Sequence, residues 1–290
     1  MNIFAFQFMQ YALLGTAITG LTAPALGIYL VQRRLSLIGD GIGHVALTGV
    51  GIGVLMHRSP VLLATIVAAL GAIAVEIIRE RSRTSGDIAL AILFYGGISG
   101  GVFLVALSRT GANLSSYLFG SPLTISNADM VTIVVLGIAI LAVTLGLRPW
   151  LFAVCQDEEY AKVAGLPVRT LNVVMAVTTA VTVTTAMRSI GLLLVSALMV
   201  VPVATAQLVT RGFGTTMALA MGLGLASGVT GIVISGPSDT APGATVVLFA
   251  IGLFLVVALG SAALRSWRRR SLPAAPAASD PPDVLLGVEP

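Results

Sequence analysis

The sequence predicts an all-α polytopic membrane protein with about eight or nine spanning helices. Of its 290 residues, 57% are hydrophobic and only 10% are charged, and the mean hydropathy is +1.01. Soluble domains carry roughly 25% charged residues, and no part of this chain has the mixed composition that such a domain needs. The apolar residues also gather into segments of about 20, the length that a helix needs to cross a bilayer.

Nine apolar segments qualify or nearly qualify as spans. They cover residues 4–30, 35–56, 61–78, 88–107, 129–147, 170–187, 190–210, 215–235 and 243–264. The first is expected to be a retained helix rather than a signal peptide, because it has no basic region and no small-residue cleavage site. Residues 1–264 therefore form a transmembrane domain. Residues 265–290, rich in proline and alanine, are predicted to be a disordered cytoplasmic tail.

Basic residues fall mainly on one side of the membrane when these nine segments alternate in direction. Thirteen of the 16 share that side: Arg33, Arg34, Arg79, Arg81, Arg83, Arg148, Lys162, Arg169, Arg211, Arg265, Arg268, Arg269 and Arg270. Such an excess marks the cytoplasmic side. The net charge of +4 thus reflects topology rather than a nucleic-acid partner. Residues 148–169 are predicted to be cytoplasmic and residues 236–243 external.

Two ionisable residues, Asp40 and His44, interrupt the second span in the stretch SLIGDGIGHVAL (36–47). Residues four apart share a helix face, and His44 lies roughly 15 Å along the helix from Arg34, near mid-membrane. A charged group there normally faces a cavity, a partner or an ion. Carboxylate and imidazole suit Mn²⁺, Fe²⁺ or Zn²⁺, and a homodimer with this helix at its two-fold axis would supply four ligands. A structural hydrogen-bonded pair and a proton relay are alternative interpretations.

The most polar internal stretch is CQDEEYAKVAGLPVRTLN (155–172), which contains Cys155, the single cysteine. Glu159, Ala161 and Gly165 fit the pattern E-x-A-x-x-x-G, and Pro167 follows. Glycine can end a short helix and proline prevents its continuation. The pattern predicts a short cytoplasmic helix with a charged face, which serves either to dock another protein or as an amphipathic connector.

Two further stretches carry polar or helix-breaking residues inside apolar surroundings. Pro202 lies within the segment 190–210 and is expected to kink it, with Ser196 and Thr205 available to satisfy the freed backbone groups. Asp239 lies in the external loop GPSDTAPG (236–243). It is either an acidic residue favoured by the dipole of the following helix or part of an entrance for a cation.

Taken in order, RRLSLIGDGIGHVAL (33–47), EEYAKVAGLPV (158–168), RSIGLLLVSALMVVPVATAQL (188–208) and DTAPGATVVL (239–248) resemble the membrane permease of zinc- and manganese-type ABC importers. The resemblance implies a multi-pass subunit of a bacterial plasma membrane importer that takes up Mn²⁺, Zn²⁺ or Fe²⁺. It also implies a homodimer in lipid, two cytoplasmic ATPase subunits and an extracytoplasmic metal-binding protein, with no permanently bound cofactor.

The resemblance also assigns roles to residues. It makes Asp40 and His44 the metal transit site, and Glu158, Glu159, Ala161 and Gly165 the coupling helix that docks on the ATPase. No G-x-x-x-x-G-K-[ST] phosphate loop occurs, so the chain itself is expected not to be an enzyme. The main alternative is a proton-coupled secondary transporter in which Asp40 and His44 relay protons. An intramembrane metalloenzyme would need more ligands, and the second histidine, His57, lies near the outer surface.

Overall fold

A computed structural model describes residues 6–81, 86–108, 114–120, 125–238 and 240–271 of the chain. These residues form twelve α-helices, and no strand occurs among them. The helices are α1 (Gln7–Gln32), α2 (Ile38–Leu55), α3 (Pro60–Arg81), α4 (Gly86–Ser108), α5 (Leu114–Phe119), α6 (Asn127–Gly146), α7 (Arg148–Gln156), α8 (Glu158–Val163), α9 (Val168–Ala186), α10 (Leu192–Val209), α11 (Phe213–Ser238) and α12 (Pro242–Ser271).

Eight helices in the described part of the chain are long and apolar enough to cross a membrane: α1, α2, α3, α4, α6, α9, α11 and α12. A ninth apolar helix within α10 is shorter and covers Leu194–Val209. The predicted all-α polytopic fold is thus confirmed. A spanning segment must satisfy its backbone hydrogen bonds internally, so a long apolar run in a bilayer has few alternatives to a helix.

The spanning helices divide into an inner and an outer group. In α1, α2 and α9, between 67% and 72% of the apolar window is buried within the protein, whereas only 11% is buried in α4 and 17% in α12. The outer helices expose large apolar side chains such as Ile92, Phe103 and Leu259, as expected of surfaces that face lipid or another apolar partner. The inner position of α2 places its two ionisable residues inside the helix bundle.

Helix α4 covers one side of α2 at very short range. A Cβ atom on Gly97 would lie 2.5 Å from the carbonyl carbon of His44 and 2.6 Å from the backbone nitrogen of Val45. Only glycine permits this approach, which is typical of helix packing in membranes. The hydroxyl of Thr48 also donates to the carbonyl oxygen of Gly97 at 2.7 Å. The backbone around His44 is therefore in direct contact with α4.

The two ends of the bundle differ in their charged residues. At the end predicted to be cytoplasmic, α3, α8 and α9 surround a cavity of about 520 Å³ whose lining includes Arg79, Lys162 and Arg169. At the opposite end, α3, α6 and α9 surround a cavity of about 310 Å³, where Arg188 Nη2 lies 3.3 Å from Asp129 Oδ2. Basic residues from distant parts of the sequence thus share one end, as the predicted topology requires.

Several sequence predictions concern the last third of the chain. Helix α10 continues through Pro202, and the Thr205 hydroxyl donates to the carbonyl oxygen of Val201 at 2.8 Å rather than to that of Leu198, which loses its helical donor to the proline. Ser196 does not serve the backbone there, because its hydroxyl bonds to Asp40. Helix α12 extends to Ser271, so the first residues of the predicted tail are helical. Asp239 and residues 272–290 lie outside the described residues.

Candidate metal site and docking helix

Asp40 lies in the first turn of α2, on the side that faces α10. Its Oδ1 accepts a hydrogen bond from the hydroxyl of Ser196, which lies 156 residues further along the chain. Asp40 is half-buried, and no hydrogen bond to Oδ2 comes from the residues that the structure describes. The serine therefore fixes the carboxylate by one oxygen and leaves the other available to a ligand.

His44 lies one turn further along the same helix and is almost fully enclosed, with 4% of the residue exposed. Its ring packs edge-on against Phe94 of α4, with 4.0 Å between the ring centroids and an interplanar angle of 70°. Nδ1 is buried and has no hydrogen-bond partner among the described residues. A buried polar atom without a partner costs about 1–3 kcal/mol of stability. A protein that keeps such an atom has a role for it other than stability.

These two side chains offer a cation one carboxylate oxygen and one imidazole nitrogen. Such a mixed set suits Mn²⁺, Fe²⁺ or Zn²⁺. The described residues of one chain contain no group of three or more histidine, cysteine, aspartate or glutamate side chains that could hold a metal. Asp40 and His44 thus offer two ligand atoms, and two ligands alone hold a metal ion only weakly.

Helix α8 is about one and a half turns long, and hydrogen bonds define both of its ends. Asp157 caps its start, because Oδ1 accepts from the backbone N–H of Tyr160 at 2.9 Å. At its end, Leu166 N donates to Ala161 O at 3.0 Å and Gly165 N donates to Lys162 O at 3.1 Å. This is a Schellman motif, and Gly165 takes the required left-handed conformation with φ of 81°. The prediction that Gly165 ends a short helix is confirmed.

The predicted docking residues do not share one face of α8. Ala161 is fully buried and anchors the helix to the bundle, whereas the Glu159 side chain is 89% exposed. Two other residues also point outward: Tyr160 is 69% exposed and Val163 is 87% exposed. Tyr160 and Val163 thus add apolar surface to the exposed side of α8, which the sequence motif alone did not reveal.

Glu158, with 39% of its side chain exposed, pairs with a buried arginine. Its Oε2 lies 3.0 Å from Nη2 of Arg33, whose side chain is only 8% exposed. Nη1 of the same arginine donates to Asn172 Oδ1 at 2.8 Å. Burial lowers the pKa of Arg33, with repulsion from Arg79 as the next cause, and Cys155, Glu76 and Glu158 oppose both effects. On the surface of α8, attraction to Glu158 is the main cause that raises the pKa of Lys162.

Nearby, Cys155 is a partly buried thiol whose Sγ donates to the carbonyl oxygen of Tyr29 over 3.7 Å. Burial raises the pKa of Cys155 to about 11, while the Arg33 charge acts in the opposite direction. The thiol is therefore protonated at neutral pH. Its place is that of a small packing residue near the junction of α7 and α8, as its position in the sequence indicates.

The sequence pattern of the ABC 3 transport family matches residues 5–261, which is nearly the whole chain. The chain belongs to the ABC 3 transport family. The manganese transport system membrane protein MntC of Halalkalibacterium halodurans is 30% identical over 255 residues, 87% of each chain. The chelated iron transport system membrane protein YfeD of Yersinia pestis is 32% identical over 257 residues, 88% of this chain and 86% of its own.

A solved structure has the same fold. PsaBC from Streptococcus pneumoniae in complex with Fab superposes with a TM-score of 0.79 at 29% identity, and the match covers 87% of this chain and 91% of that chain. The resemblance to metal-type ABC permeases is thus confirmed. This member of the ABC 3 transport family is a multi-pass membrane protein.

Within this ABC 3 family protein, the tertiary structure adds residues that sequence reasoning did not assign to a site. Ser196 was expected only to support the helix around Pro202, yet it holds Asp40. Phe94 contacts His44, although nothing in the pattern of α4 distinguishes it from other apolar residues. Arg33 was counted only as a topology signal, although its side chain links two polar residues from other elements.

Proposed function

We propose that this chain is the permease subunit of an ATP-driven importer that takes up a divalent metal ion, Mn²⁺, Zn²⁺ or Fe²⁺. Two copies form the membrane pathway, a separate cytoplasmic ATPase docks on α8, and an extracytoplasmic protein delivers the ion. The family and the names of the relatives support this assignment. The permease itself carries out no hydrolysis.

One observation carries the proposal for the site. Asp40 and His44 stand one turn apart on an inner helix, and each keeps a ligand atom unused among the described residues: one carboxylate oxygen, and the buried Nδ1 of His44. Two ligands hold a divalent ion only weakly, and weak binding is what a transport pathway requires, because a tight site would not release its cargo.

The different burial of Asp40 and His44 suggests how each residue reaches an ion at a site shared by two copies of the chain. Asp40 is half-buried, whereas His44 is enclosed between α2 and α4. Asp40 is thus the more accessible of the two residues to an ion or a second copy. His44 gains access to an ion when Phe94 and α4 move away from α2. Alternating exposure of the pathway to the two sides would provide that movement.

Uptake of labelled Mn²⁺, Zn²⁺ and Fe²⁺ tests the transit site in cells that express the complete importer. Asp40→Ala and His44→Ala are each expected to abolish most of the uptake of the transported ion. His57→Ala is the matched control, because it removes the other histidine of the chain at an exposed turn. Normal uptake in both site variants would remove the transit-site assignment while leaving the permease assignment in place.

Docking on α8 is tested by co-purification of the tagged chain with the ATPase. Val163→Asp places a charge on the exposed side of α8 and is expected to reduce the amount of bound ATPase. Thr215→Asp, on the exposed start of α11, adds the same charge at the same end of the bundle and is the control. Equal recovery of the ATPase with both variants contradicts docking through this face.

The same cells separate the proposal from a proton-coupled carrier. Uptake by an ATP-driven importer stops when ATP is depleted and survives a protonophore as long as ATP is maintained. A carrier in which Asp40 and His44 relay protons behaves in the opposite way. Uptake that follows the proton gradient rather than ATP would therefore replace this proposal with the secondary-transporter alternative.

A further inference from the structure

Arg33 stands at the point where α1 ends and the chain turns toward α2. Its guanidinium donates through Nη1 to Asn172 Oδ1 at 2.8 Å and through Nη2 to Glu158 Oε2 at 3.0 Å. Asn172 belongs to the first turns of α9 and Glu158 opens α8. One side chain, only 8% exposed, thus joins the end of α1 to two helices more than 120 residues away in sequence.

The connection from Arg33 to α2 is short and internally hydrogen-bonded. Leu35 N donates to Leu30 O at 2.8 Å, and Arg34 N donates to Val31 O at 3.1 Å. Together with the left-handed φ of 58° at Arg34, these bonds form a Schellman turn. Ile38 N then donates to Leu35 O at 3.0 Å, so that α2 begins directly after this turn. Because hydrogen bonds hold this turn rigid, a displacement of Arg33 is passed on to the start of α2 with little loss.

Two other groups of ion pairs near α8 each stay within one helix. Lys162 lies 3.4 Å from Glu158 and 3.5 Å from Glu159, but all three residues belong to α8. Arg79 pairs with Glu76 at 2.8 Å inside α3. Among these pairs, the one between Arg33 and Glu158 joins α8 to the end of α1.

The cavity beside α8 increases the importance of this pair. About 520 Å³ of space separates parts of α3, α8 and α9, and both Glu158 and Asn172 line it. Close packing transmits a push between helices, whereas a gap of this size does not. Ala161 anchors α8 to the bundle by packing, and on the side that lines the cavity the polar contacts of Arg33 add a second connection.

We infer that Arg33 is a positioning residue that couples movement of α8 to movement of α2. A displacement of α8 by the ATPase pulls on Glu158, then on Arg33, and through the Schellman turn on the first turn of α2, where Asp40 lies. The inference rests on the proposed function, since it takes α8 as the docking helix and α2 as the helix of the metal site. It adds a specific mechanical link between them.

The test measures metal uptake and ATP hydrolysis in the same reconstituted importer, with permease, ATPase and binding protein present and the transported ion as the probe. Arg33→Gln cannot hold Asn172 and Glu158 together, and it is expected to lower the number of ions transported per ATP by at least about tenfold, the factor that corresponds to the charge-assisted bond to Glu158 alone. Hydrolysis and co-purification of the ATPase are expected to stay near the wild-type level. Arg211→Gln removes an exposed arginine at the same end of the bundle but outside α8, and it is the matched control, with an unchanged ratio.

A charge exchange separates coupling from a general structural role. Glu158→Arg alone places two arginines together and should uncouple the importer, whereas Glu158→Arg combined with Arg33→Glu should recover a substantial part of the ratio. If Arg33→Gln does not assemble, Arg33→Lys replaces it: one ammonium keeps the charge but does not reproduce the two-pronged geometry, and a lowered ratio is again expected.

The outcomes distinguish this inference from the proposed function. A wild-type importer without ATP-driven metal uptake overturns the proposed function and the inference with it. A wild-type importer that transports metal, with an unchanged ratio in Arg33→Gln or in its replacement Arg33→Lys, overturns only the coupling role of Arg33. Failure of the charge exchange to restore any of the ratio also counts against it.

Discussion

The contact between α2 and α4 gives the sharpest test of the structure around His44. We predict that Gly97→Ala destabilises the protein and reduces metal uptake, whereas Gly96→Ala, one residue earlier on the same helix, does neither. A Cβ atom at position 97 would meet the backbone of His44 and Val45, but one at position 96 has nothing within 4 Å. The two substitutions are chemically identical and differ only in what they face.

The magnitude follows from the distances. The Cβ atom at Gly97 would lie 2.5 Å from His44 C and 2.7 Å from His44 O, where ordinary contacts are 3.4–4 Å. Backbone atoms cannot rotate aside, so α4 must move away by about 1 Å, and overpacking of this kind costs about 1–3 kcal/mol. Gly96→Ala instead gains about 0.5–1 kcal/mol from helix propensity. Moving α4 also shifts Phe94 relative to the His44 ring.

Apparent melting temperatures of the purified variants in detergent provide the first measurement. Gly97→Ala should melt several degrees below Gly96→Ala, at about 2–4 °C per kcal/mol for a chain of this size. Uptake of the transported metal, normalised to the amount of protein in the membrane, provides the second. If Gly97→Ala melts at or above the temperature of Gly96→Ala, then α4 does not pack against the backbone of α2. The conclusion that α4 encloses His44 is then wrong.

Three further predictions concern the end of the bundle near α7 and α8. Because burial raises the pKa of Cys155 from 9.0 to about 11, its thiolate is about 100-fold scarcer at pH 8 than that of an unperturbed thiol. Maleimide labelling of this single cysteine should therefore be slow at pH 8 and accelerate about tenfold per pH unit. Tyr29→Phe removes a hydrogen bond of 2.6 Å to Thr144 O and should cost about 1–2 kcal/mol in thermal stability. Gly165→Ala should cost about 1–2 kcal/mol for its left-handed backbone, lowering the melting temperature and the recovery of bound ATPase, although a Cβ there meets no neighbour.

Hydropathy predicted the spanning helices closely because a bilayer leaves the backbone so few choices. The predicted segment 61–78 is contained in α3, Pro60–Arg81, and the segment 129–147 differs from α6, Asn127–Gly146, by one or two residues at each end. The helix α8 was predicted as well, because a C-terminal glycine and the proline that follows it act through neighbouring residues. Features that depend on neighbouring residues or on the surrounding bilayer can therefore be predicted from the sequence.

The candidate site was predicted only as far as one helix defines it. Asp40 and His44 share a face because of their spacing, and this holds for any arrangement of the other helices. Their different surroundings could not be predicted in this way. Asp40 is held by Ser196 and His44 is covered by Phe94, and both contacts depend on how α10 and α4 lie against α2.

The sequence by itself determined an all-α membrane protein of eight or nine spans, a polar pair on the second helix and a short polar helix between the fifth and sixth spans. The tertiary structure alone decided that Ala161 faces inward while Tyr160 and Val163 face outward, and that Arg33 reaches Glu158 across 125 residues of chain. Periodicity specifies which residues share a face of one helix. Periodicity does not specify how one helix is rotated or shifted against another, because close packing between the helices determines both.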